Sequence, residues 1–343
     1  MVQPIPAKGT RYFALLIDES NQPDWYDITL NSVFNKGGAA ELWTVDTDNA
    51  NFTILAKLWN DEVLAGIAAH PPEAGRLIPL IRHRDELYAK LRFVVWPRRI
   101  LFTRPELDNS VADIRGFTMS KLSGYRKLFA VLDAAQEGET PLKLHEAAYL
   151  AEALCGNVQR LHAHPWQFRF GDLTPNNILV DAQLTDLYFV DADSFQFTYN
   201  DPFTGAAQQI AINGLTPGYT SPEAIAANKR RQRGAFLPPL SEDHDNFILA
   251  ILIYQILMSH FGLGGTHPFQ GSNEDLLDTY IENRQFAPEL PDPPINDYIV
   301  AQYKRIPENI RSAFRHTFID QKPLKPAEWK RLISDSWRSL PPG

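Results

Sequence analysis

The sequence predicts an α+β chain, with a small antiparallel sheet in its first third and a larger, mainly helical remainder. Three observations carry this reading. Strand-like runs broken by turn residues fill the first third. Leu142 to His162 has the apolar spacing of an amphipathic helix. Phe247 to Met258 is apolar almost throughout yet too short to span a bilayer comfortably, which marks a buried core helix.

The strands come in order. Arg11 to Asp18 is apolar-rich and leads to a turn at Ser20 to Pro23. Ile28 to Phe34 runs into Gly37-Gly38, Glu41 to Asp46 follows, and after a polar turn comes Phe52 to Trp59. Runs joined through glycines can return tightly, so these segments are expected to pair antiparallel. A helix is expected over roughly Arg82 to Val95, with Leu87, Leu91 and Val94 near helical spacing. Two more strand-like segments are Ile100 to Thr103 and Gly116 to Leu122. Beyond the Leu142 to His162 helix lie two short strand-like runs, Asn177 to Val180 and Leu187 to Val190, then a turn-rich segment from Ser194 to Gly218. Helices resume at Asp245 to Ser259, at Leu276 to Arg284 and from Ile310 onward.

The 343 residues suffice for one two-lobed domain, and a composition 44% hydrophobic and 11% aromatic supports a large core. A net charge of −8 argues against a nucleic-acid binder, which needs a basic surface. A nucleotide needs only one or two local cations and a metal. The single cysteine, Cys155, allows neither an internal disulfide nor a cysteine-based zinc site and fits a reducing compartment. Met1 to Arg11 lacks the apolar core of a signal peptide. A cytoplasmic protein with no membrane segment is expected.

The sharpest local signal is Gly171-Asp172-Leu173-Thr174-Pro175-Asn176-Asn177-Ile178-Leu179-Val180. Asp191 follows Asn177 by fourteen residues, in Phe189-Val190-Asp191-Ala192-Asp193. Phosphoryl transfer requires groups of this kind: one carboxylate to orient the attacking hydroxyl, an amide and a second carboxylate to hold magnesium against the phosphates. The pattern resembles the catalytic loop and metal-binding turn of the protein-kinase superfamily. The resemblance implies a two-lobed protein-kinase-like fold, with a sheet lobe over residues 1–119, a hinge over 120–124 and a helical lobe over 125–343. It implies ATP and magnesium as cofactors, Asp172 as catalytic base, Asn177 as a contact to nucleotide and metal, and Asp191 as principal metal ligand.

Other motifs follow the same template. Asn35-Lys36-Gly37-Gly38-Ala39-Ala40-Glu41-Leu42-Trp43 resembles the phosphate-covering loop, with Asn35 and Ala40 where glycine is usual. Gly37, Gly38 and Ala39 would then contact the nucleotide. Lys57, after apolar Ile54-Leu55-Ala56, would bind phosphates, and its helix partner is expected to be Glu86, with Asp85 and Glu62 as alternatives. Gly116-Phe117-Thr118-Met119 resembles the strand that leads to the hinge. Met119 would line the adenine pocket, and the backbone of Ser120 to Leu122 would bond the base. Thr216-Pro217-Gly218-Tyr219-Thr220-Ser221-Pro222-Glu223 resembles the end of an activation segment, whose Glu223 is expected to pair with Lys325. Asp245 matches the buried aspartate that braces the catalytic-loop backbone. The resemblance covers about residues 28 to 335.

The Gly-Gly loop, the Gly-Asp turn, the Asp-x-Asp-Ser-Phe turn and Trp96-Pro97 resemble a bacterial serine/threonine kinase-like subgroup. That subgroup is often encoded beside a von Willebrand A-type protein and a metal-dependent protein phosphatase, or fused to a helix-hairpin-helix module. The implied activity is transfer of the ATP γ-phosphate to protein serine or threonine hydroxyls. Two positions depart from the wider pattern. Phe170-Gly171 replaces His-Arg, so a phosphate on the activation segment would lack its cationic partner, and activity independent of phosphorylation there is expected. Thr174 replaces a lysine, as in small-molecule phosphotransferases of the aminoglycoside and choline kinase type. These and a nucleotide-binding pseudokinase scaffold stay open as alternatives. His162 and His164 read as helix-end and core residues, since no nearby cysteine or acidic cluster completes a zinc ligand set. Lys229-Arg230-Arg231-Gln232-Arg233 reads as solvated surface, and Trp96, Trp166 and Trp329 as packing residues.

Overall fold

The structure, a computed structural model, describes residues 6–17, 23–46, 54–69, 75–104, 113–136, 140–201, 205–212, 214–231, 237–270 and 276–337. The expected turn around Ser20 and the Gln232-Arg233 end of the basic run lie outside them. The chain divides into two compact units, one of residues 1–123 with 190–193, the other of 124–189 with 194–343.

Six strands build the first unit: β1 (Arg11–Ile17), β2 (Pro23–Lys36), β3 (Ala40–Asp46), β4 (Ile54–Trp59), β5 (Pro97–Phe102) and β6 (Ile114–Ser120). All pair antiparallel in the order β1-β2-β3-β4-β6-β5, and β1 returns onto β5 with Phe13 opposite Phe102. The expected antiparallel sheet therefore closes into a barrel, which removes its free edges. Side chains alternate across a strand, so Tyr12, Ala14, Ile28, Leu30, Trp43, Ala56, Leu58 and Leu101 form one buried cluster. Lys57, between Ala56 and Leu58, must point to the opposite face. Gly116 lies at φ +149°, and a Cβ there would stand 1.8 Å from the Lys57 carbonyl oxygen. The lysine strand can approach β6 this closely only because that position carries no side chain.

Among the described residues three helices complete this unit: α1 (Asp61–Ala69), α2 (Leu77–Arg82) and α3 (Arg84–Lys90). Only α3 lies within the helix expected over roughly Arg82 to Val95, and it is shorter than expected. Leu91 already leaves the helix, at φ −129°. Leu91, Phe93 and Val94 are nevertheless buried, so the apolar spacing reported burial rather than continuous helix.

The second unit carries a three-stranded sheet of β7 (Tyr125–Lys127), β8 (Ile178–Asp181) and β9 (Leu187–Phe189). The hairpin β10 (Phe197–Asn200) and β11 (Ala207–Ile210) lies where the sequence reads as turns. Its helices are α4 (Leu128–Gln136), α5 (Leu144–His162), α6 (Pro222–Arg230), α7 (Glu242–Ser259), α8 (Leu277–Glu282), α9 (Asp297–Tyr303), α10 (Glu308–Phe318) and α11 (Pro326–Leu332). Every residue of α7 from His244 to Ser259 is buried, as expected of the most apolar run. Phe247 stacks on Phe269, and Phe314 packs on Trp329, which is fully buried. Ser221 caps α6 by accepting from the Ala224 N–H at 3.4 Å, with Pro222 as its first residue. Among the described residues no helix is long and apolar enough to cross a membrane.

Gly116→Ala should destabilise the protein by on the order of 2–3 kcal/mol, through steric clash and an unfavourable φ. Gly38→Ala, where an added Cβ meets nothing within 4 Å, should cost far less. Urea unfolding of both variants measures the difference.

Candidate functional site

The first unit holds the lysine cluster. Lys57 is 8% exposed on β4, opposite Phe117 of β6, with its ammonium 5.5 Å from the Phe117 ring. Burying an ammonium is costly unless it is paired. The pairing comes from the Asp-x-Asp turn: Nζ lies 2.9 and 3.1 Å from the two carboxylate oxygens of Asp193 and 3.2 Å from Oδ1 of Asp191. Burial by itself would push the Lys57 pKa down; the charges of Asp193 and Asp191 overturn this and hold it above the ordinary lysine range. Arg76 donates to the Asp193 carbonyl at 2.7 Å and anchors the turn. Asp191 sits at φ 61°, a left-handed conformation that aspartate tolerates better than most residues.

Glu86 does not serve as the lysine's partner. It lies exposed on α3, 2.8 Å from Lys90 Nζ one helical turn away and 3.6 Å from His83 Nδ1. Asp85 pairs with its neighbour Arg84, and Glu62 is exposed on α1. The template's glutamate is replaced by Asp193, two residues beyond the metal-turn aspartate, a position that sequence spacing alone does not single out.

The glycine loop is a tight hairpin. The Gly37 N–H donates to the Ala40 carbonyl at 2.9 Å, and Gly37, Gly38 and Ala39 are exposed. Asn60 ties the hairpin to the end of β4: its N–H donates to the Ala39 carbonyl at 3.0 Å and its side-chain amide to the Gly38 carbonyl at 2.6 Å. Its side-chain oxygen also accepts from the Val63 N–H and starts α1. The sequence reading passed over Asn60, although asparagine before a helix is a recognisable cap signal. Met119 is buried on β6 opposite Leu55. Ser120 Oγ meets Arg98 at 3.1 Å and the Tyr88 hydroxyl at 3.3 Å, and Leu122 lies two residues past the strand.

In the second unit Asp172 and Asn177 come together. The Asn177 amide nitrogen donates to Asp172 Oδ2 at 2.6 Å and to the Asp172 carbonyl at 3.1 Å. A carboxylate only accepts, so this contact must use the NH₂ group and leaves the Asn177 carbonyl oxygen as an acceptor. Thr216 Oγ1 donates to the other carboxylate oxygen, Oδ1, at 2.5 Å. The loop is braced from below by Asp245, which is fully buried, accepts from the Phe170 N–H at 3.1 Å and bonds His162 Nε2 at 2.7 Å. This is the expected brace, and His162 is a helix-end residue as read. Gly171 has a packing cause: a Cβ there would stand 2.4 Å from the Ser194 carbonyl oxygen, so an arginine before or at this bend is not simply exchangeable with it.

The segment Thr216 to Ser221 is held by hydrogen bonds to hydroxyl, carbonyl, carboxamide, imidazole and carboxylate groups. Thr220 Oγ1 donates to the Thr216 carbonyl at 2.8 Å, and the Gly218 N–H donates to Asp278 Oδ1 at 2.9 Å. Tyr219 Oη bonds Gln255 at 3.1 Å, and Ser221 Oγ meets His244 Nδ1 at 3.1 Å. His267 Nε2 donates to the Gly218 carbonyl at 3.0 Å, while Nδ1 accepts from the Phe269 N–H at 3.2 Å. Glu223 and Lys325 form no ion pair among the described residues; α6 is instead linked to α8 by Lys229 and Glu282.

Magnesium takes oxygen ligands and keeps several waters, so it needs only one or two protein carboxylates. In the first unit the Asp191 carboxylate, 34% exposed, and in the second the side-chain carbonyl oxygen of Asn177 are each donors of that kind. Among the described residues no group of three or more His, Cys, Asp or Glu side chains gathers to hold a metal.

No family model matches the chain. Over 185 residues, 53% of its length, it is 25% identical to Protein kinase YegI of Escherichia coli K12, and 24% identical to the O157:H7 counterpart. It spans about a quarter of those proteins, 24% and 25%. Among solved structures it is similar to the Toxoplasma gondii specific rhoptry antigen kinase domain, with TM-score 0.54 and 14% identity over 96% of this chain and 87% of that one. The ROP18 kinase domain in complex with AMP-PNP and sucrose matches at 0.54 and 14% identity over 94% and 81%. ROP2 of Toxoplasma gondii, described as a virulence factor with a protein-kinase fold and no enzymatic activity, matches at 0.57 and 14% identity over 96% and 85%. The fold is protein-kinase-like. At this identity the structures establish the kinase fold alone, and the YegI likeness adds distant kinase homology over half the chain.

Burial pushes the His267 pKa down to about 4, against partial support from the Gly218 carbonyl, and burial shifts His244 in the same direction. An unfolded histidine titrates near its ordinary value, so below it the unfolded chain binds a proton that the folded chain excludes. Stability should therefore fall as pH drops from about 6.5 towards 4, by up to about 3 kcal/mol from His267. Urea midpoints across this range should show the slope, and His267→Gln should flatten it.

Proposed function

We propose that the protein transfers the γ-phosphate of ATP, with magnesium, to serine or threonine hydroxyls of a polypeptide. The observation that carries this reading is the Thr216 hydroxyl donating to Asp172 Oδ1 at 2.5 Å. The chain's own threonine makes the contact a substrate hydroxyl would need, and a carboxylate oxygen has a second lone pair with which to accept another hydroxyl. Asp172 would orient the acceptor and take its proton, and Asn177 fixes that carboxylate through its NH₂ group while offering its carbonyl oxygen to metal. Bound magnesium would neutralise charge on the phosphates. Asp191 would hold it. Lys57 would bind phosphate oxygens, with Asp193 keeping the ammonium charged and placed. The Gly37-Gly38-Ala39 hairpin, pinned by Asn60, would cover the phosphates, and Met119 with the Ser120 to Leu122 backbone would meet the adenine.

The hydrogen bonds that hold Thr216 to Ser221 with no phosphate present support activity without phosphorylation of this segment. Thr220 is 1% exposed and Ser221 5%, so a modifying enzyme would have to unfold the segment first. A small-molecule phosphotransferase and a nucleotide-binding scaffold are separated from this reading by the acceptor and by turnover. A von Willebrand A-type protein and a metal-dependent phosphatase, the partners implied by the sequence resemblance, are the first protein substrates to try.

Incubation with γ-labelled ATP and magnesium should label protein serine or threonine. Asp191→Ala should abolish label, and Asp172→Asn should lower kcat by roughly 10²–10⁴ with little change in the KM for ATP. Equal labelling by wild type and Asp191→Ala would remove the proposal. Asp193→Asn should raise the Kd for AMP-PNP by roughly tenfold or more, whereas Glu86→Gln should leave it unchanged, as read by calorimetry. Phosphatase pretreatment should leave activity intact; a loss mapped to Thr216 or Thr220 would refute the phosphate-independent segment.

A further inference from the structure

Arg84 of α3 and Arg98 and Arg99 of β5 gather around the end of β6 on one face of the first unit. We propose that this face binds a phosphorylated serine or threonine side chain of a polypeptide; the choice of polypeptide rests on the protein-kinase reading.

A β-bulge brings the two strand arginines together. The β5–β6 register steps from Pro97 opposite Met119 to Arg99 opposite Thr118, which leaves Arg98 as an extra residue. Neighbours on a strand normally face opposite sides, and a bulge re-aims one of them. Ser120, two residues beyond Thr118, lies on the same face as Arg99. Arg98 reaches that face too, with Nη1 3.1 Å from Ser120 Oγ. The Tyr88 hydroxyl of α3 meets the same oxygen at 3.3 Å. Arg84 stands four residues before Tyr88 on α3 and so shares its side of the helix.

The charges here are unbalanced. Arg84 pairs with Asp85 at 2.8 Å and Arg99 with Asp24 at 3.4 Å, yet the arginine side chains are 19% and 21% exposed and the aspartates 85% and 50%. Exposed carboxylates are screened by water and contribute little, whereas a mostly buried guanidinium needs a firm partner. Burial, with added repulsion from Arg84 and Arg99, pulls the Arg98 pKa below the ordinary arginine range, against Tyr88 and Asp85. A dianionic phosphate offsets this repulsion better than a single carboxylate, because its oxygens accept forked guanidinium bonds.

Donors and shape fit the same ligand. Tyr88 and Ser120 share one hydrogen bond, which uses one hydroxyl proton and leaves the other for an incoming acceptor. Arg99 lies over the Tyr26 ring at 4.0 Å, which fixes the guanidinium plane and leaves its edge to donate. Tyr26 is 50% exposed and offers an apolar contact to residues beside the phosphate, which an isolated phosphate ion would not use. The occupant is a phosphate carried on a chain.

Fluorescence anisotropy of a labelled phosphoserine peptide and its unphosphorylated twin, with inorganic phosphate as competitor, tests the proposal without ATP. Wild type should bind the phosphopeptide roughly tenfold or more tightly than the twin, and Arg98→Gln should remove the difference. Arg84→Gln and Arg99→Gln should each weaken phosphopeptide binding by roughly three- to tenfold, with urea midpoints near wild type as the check on folding. Equal binding of the two peptides, or a phosphate preference that survives all three substitutions, overturns the site. Inorganic phosphate competing as tightly as the phosphopeptide overturns the polypeptide as occupant. Protein labelling by γ-labelled ATP is read separately, so the site and the kinase reading can each fail without the other.

Discussion

An ammonium buried on a β-strand is the constraint on which the first unit turns. Lys57 cannot be left unpaired at 8% exposure, and the neutralising charge comes from the Asp191-Ala192-Asp193 turn rather than from a helix. The turn is in turn fixed by Arg76, whose guanidinium holds the Asp193 carbonyl. Gly116 belongs to the same requirement, because only a residue without a side chain lets the Lys57 backbone approach β6 as it does. Strand spacing, turn conformation and lysine charge are thus one problem with one solution.

The second unit solves a different problem, that of holding a polar loop rigid without exposing it. Asp245 does so from the interior of α7, accepting from the Phe170 backbone and bonding His162. Gly171 lets Ser194 pass at close range, and Asn177 locks the Asp172 side chain from one side while Thr216 bonds it from the other. Asn177 lies only five residues from Asp172, but Thr216, Ser194 and Asp245 come from distant parts of the chain, so tertiary contacts specify much of the loop. Thr216–Ser221 is likewise held by hydroxyl, carbonyl, carboxylate and imidazole contacts.

On the proposed reading, Asp193 would take the place of a helix glutamate beside Lys57, and hydroxyl, carbonyl, carboxylate and imidazole contacts would hold Thr216–Ser221 in place of a phosphate paired with arginine.

Much was readable from the residues alone. The Asp172–Asn177–Asp191 spacing, the strand lysine, the buried Asp245 and the apolar α7 are consequences of short-range order, since each is a residue type at a fixed offset within or beside one element. The helices missed, such as α4 and α6, are short, and the hairpin β10–β11 sits among turn residues, so local periodicity is too weak to declare them. Other matters depended on which distant residues meet. Barrel closure follows from β1 pairing with β5, and the replacement of Glu86 by Asp193 follows from where a turn far along the chain falls against β4. Sequence fixes which groups are available and at what local spacing; only the packed chain chooses their partners, because the cost of burying a charge is settled by whatever opposite charge the fold brings within reach.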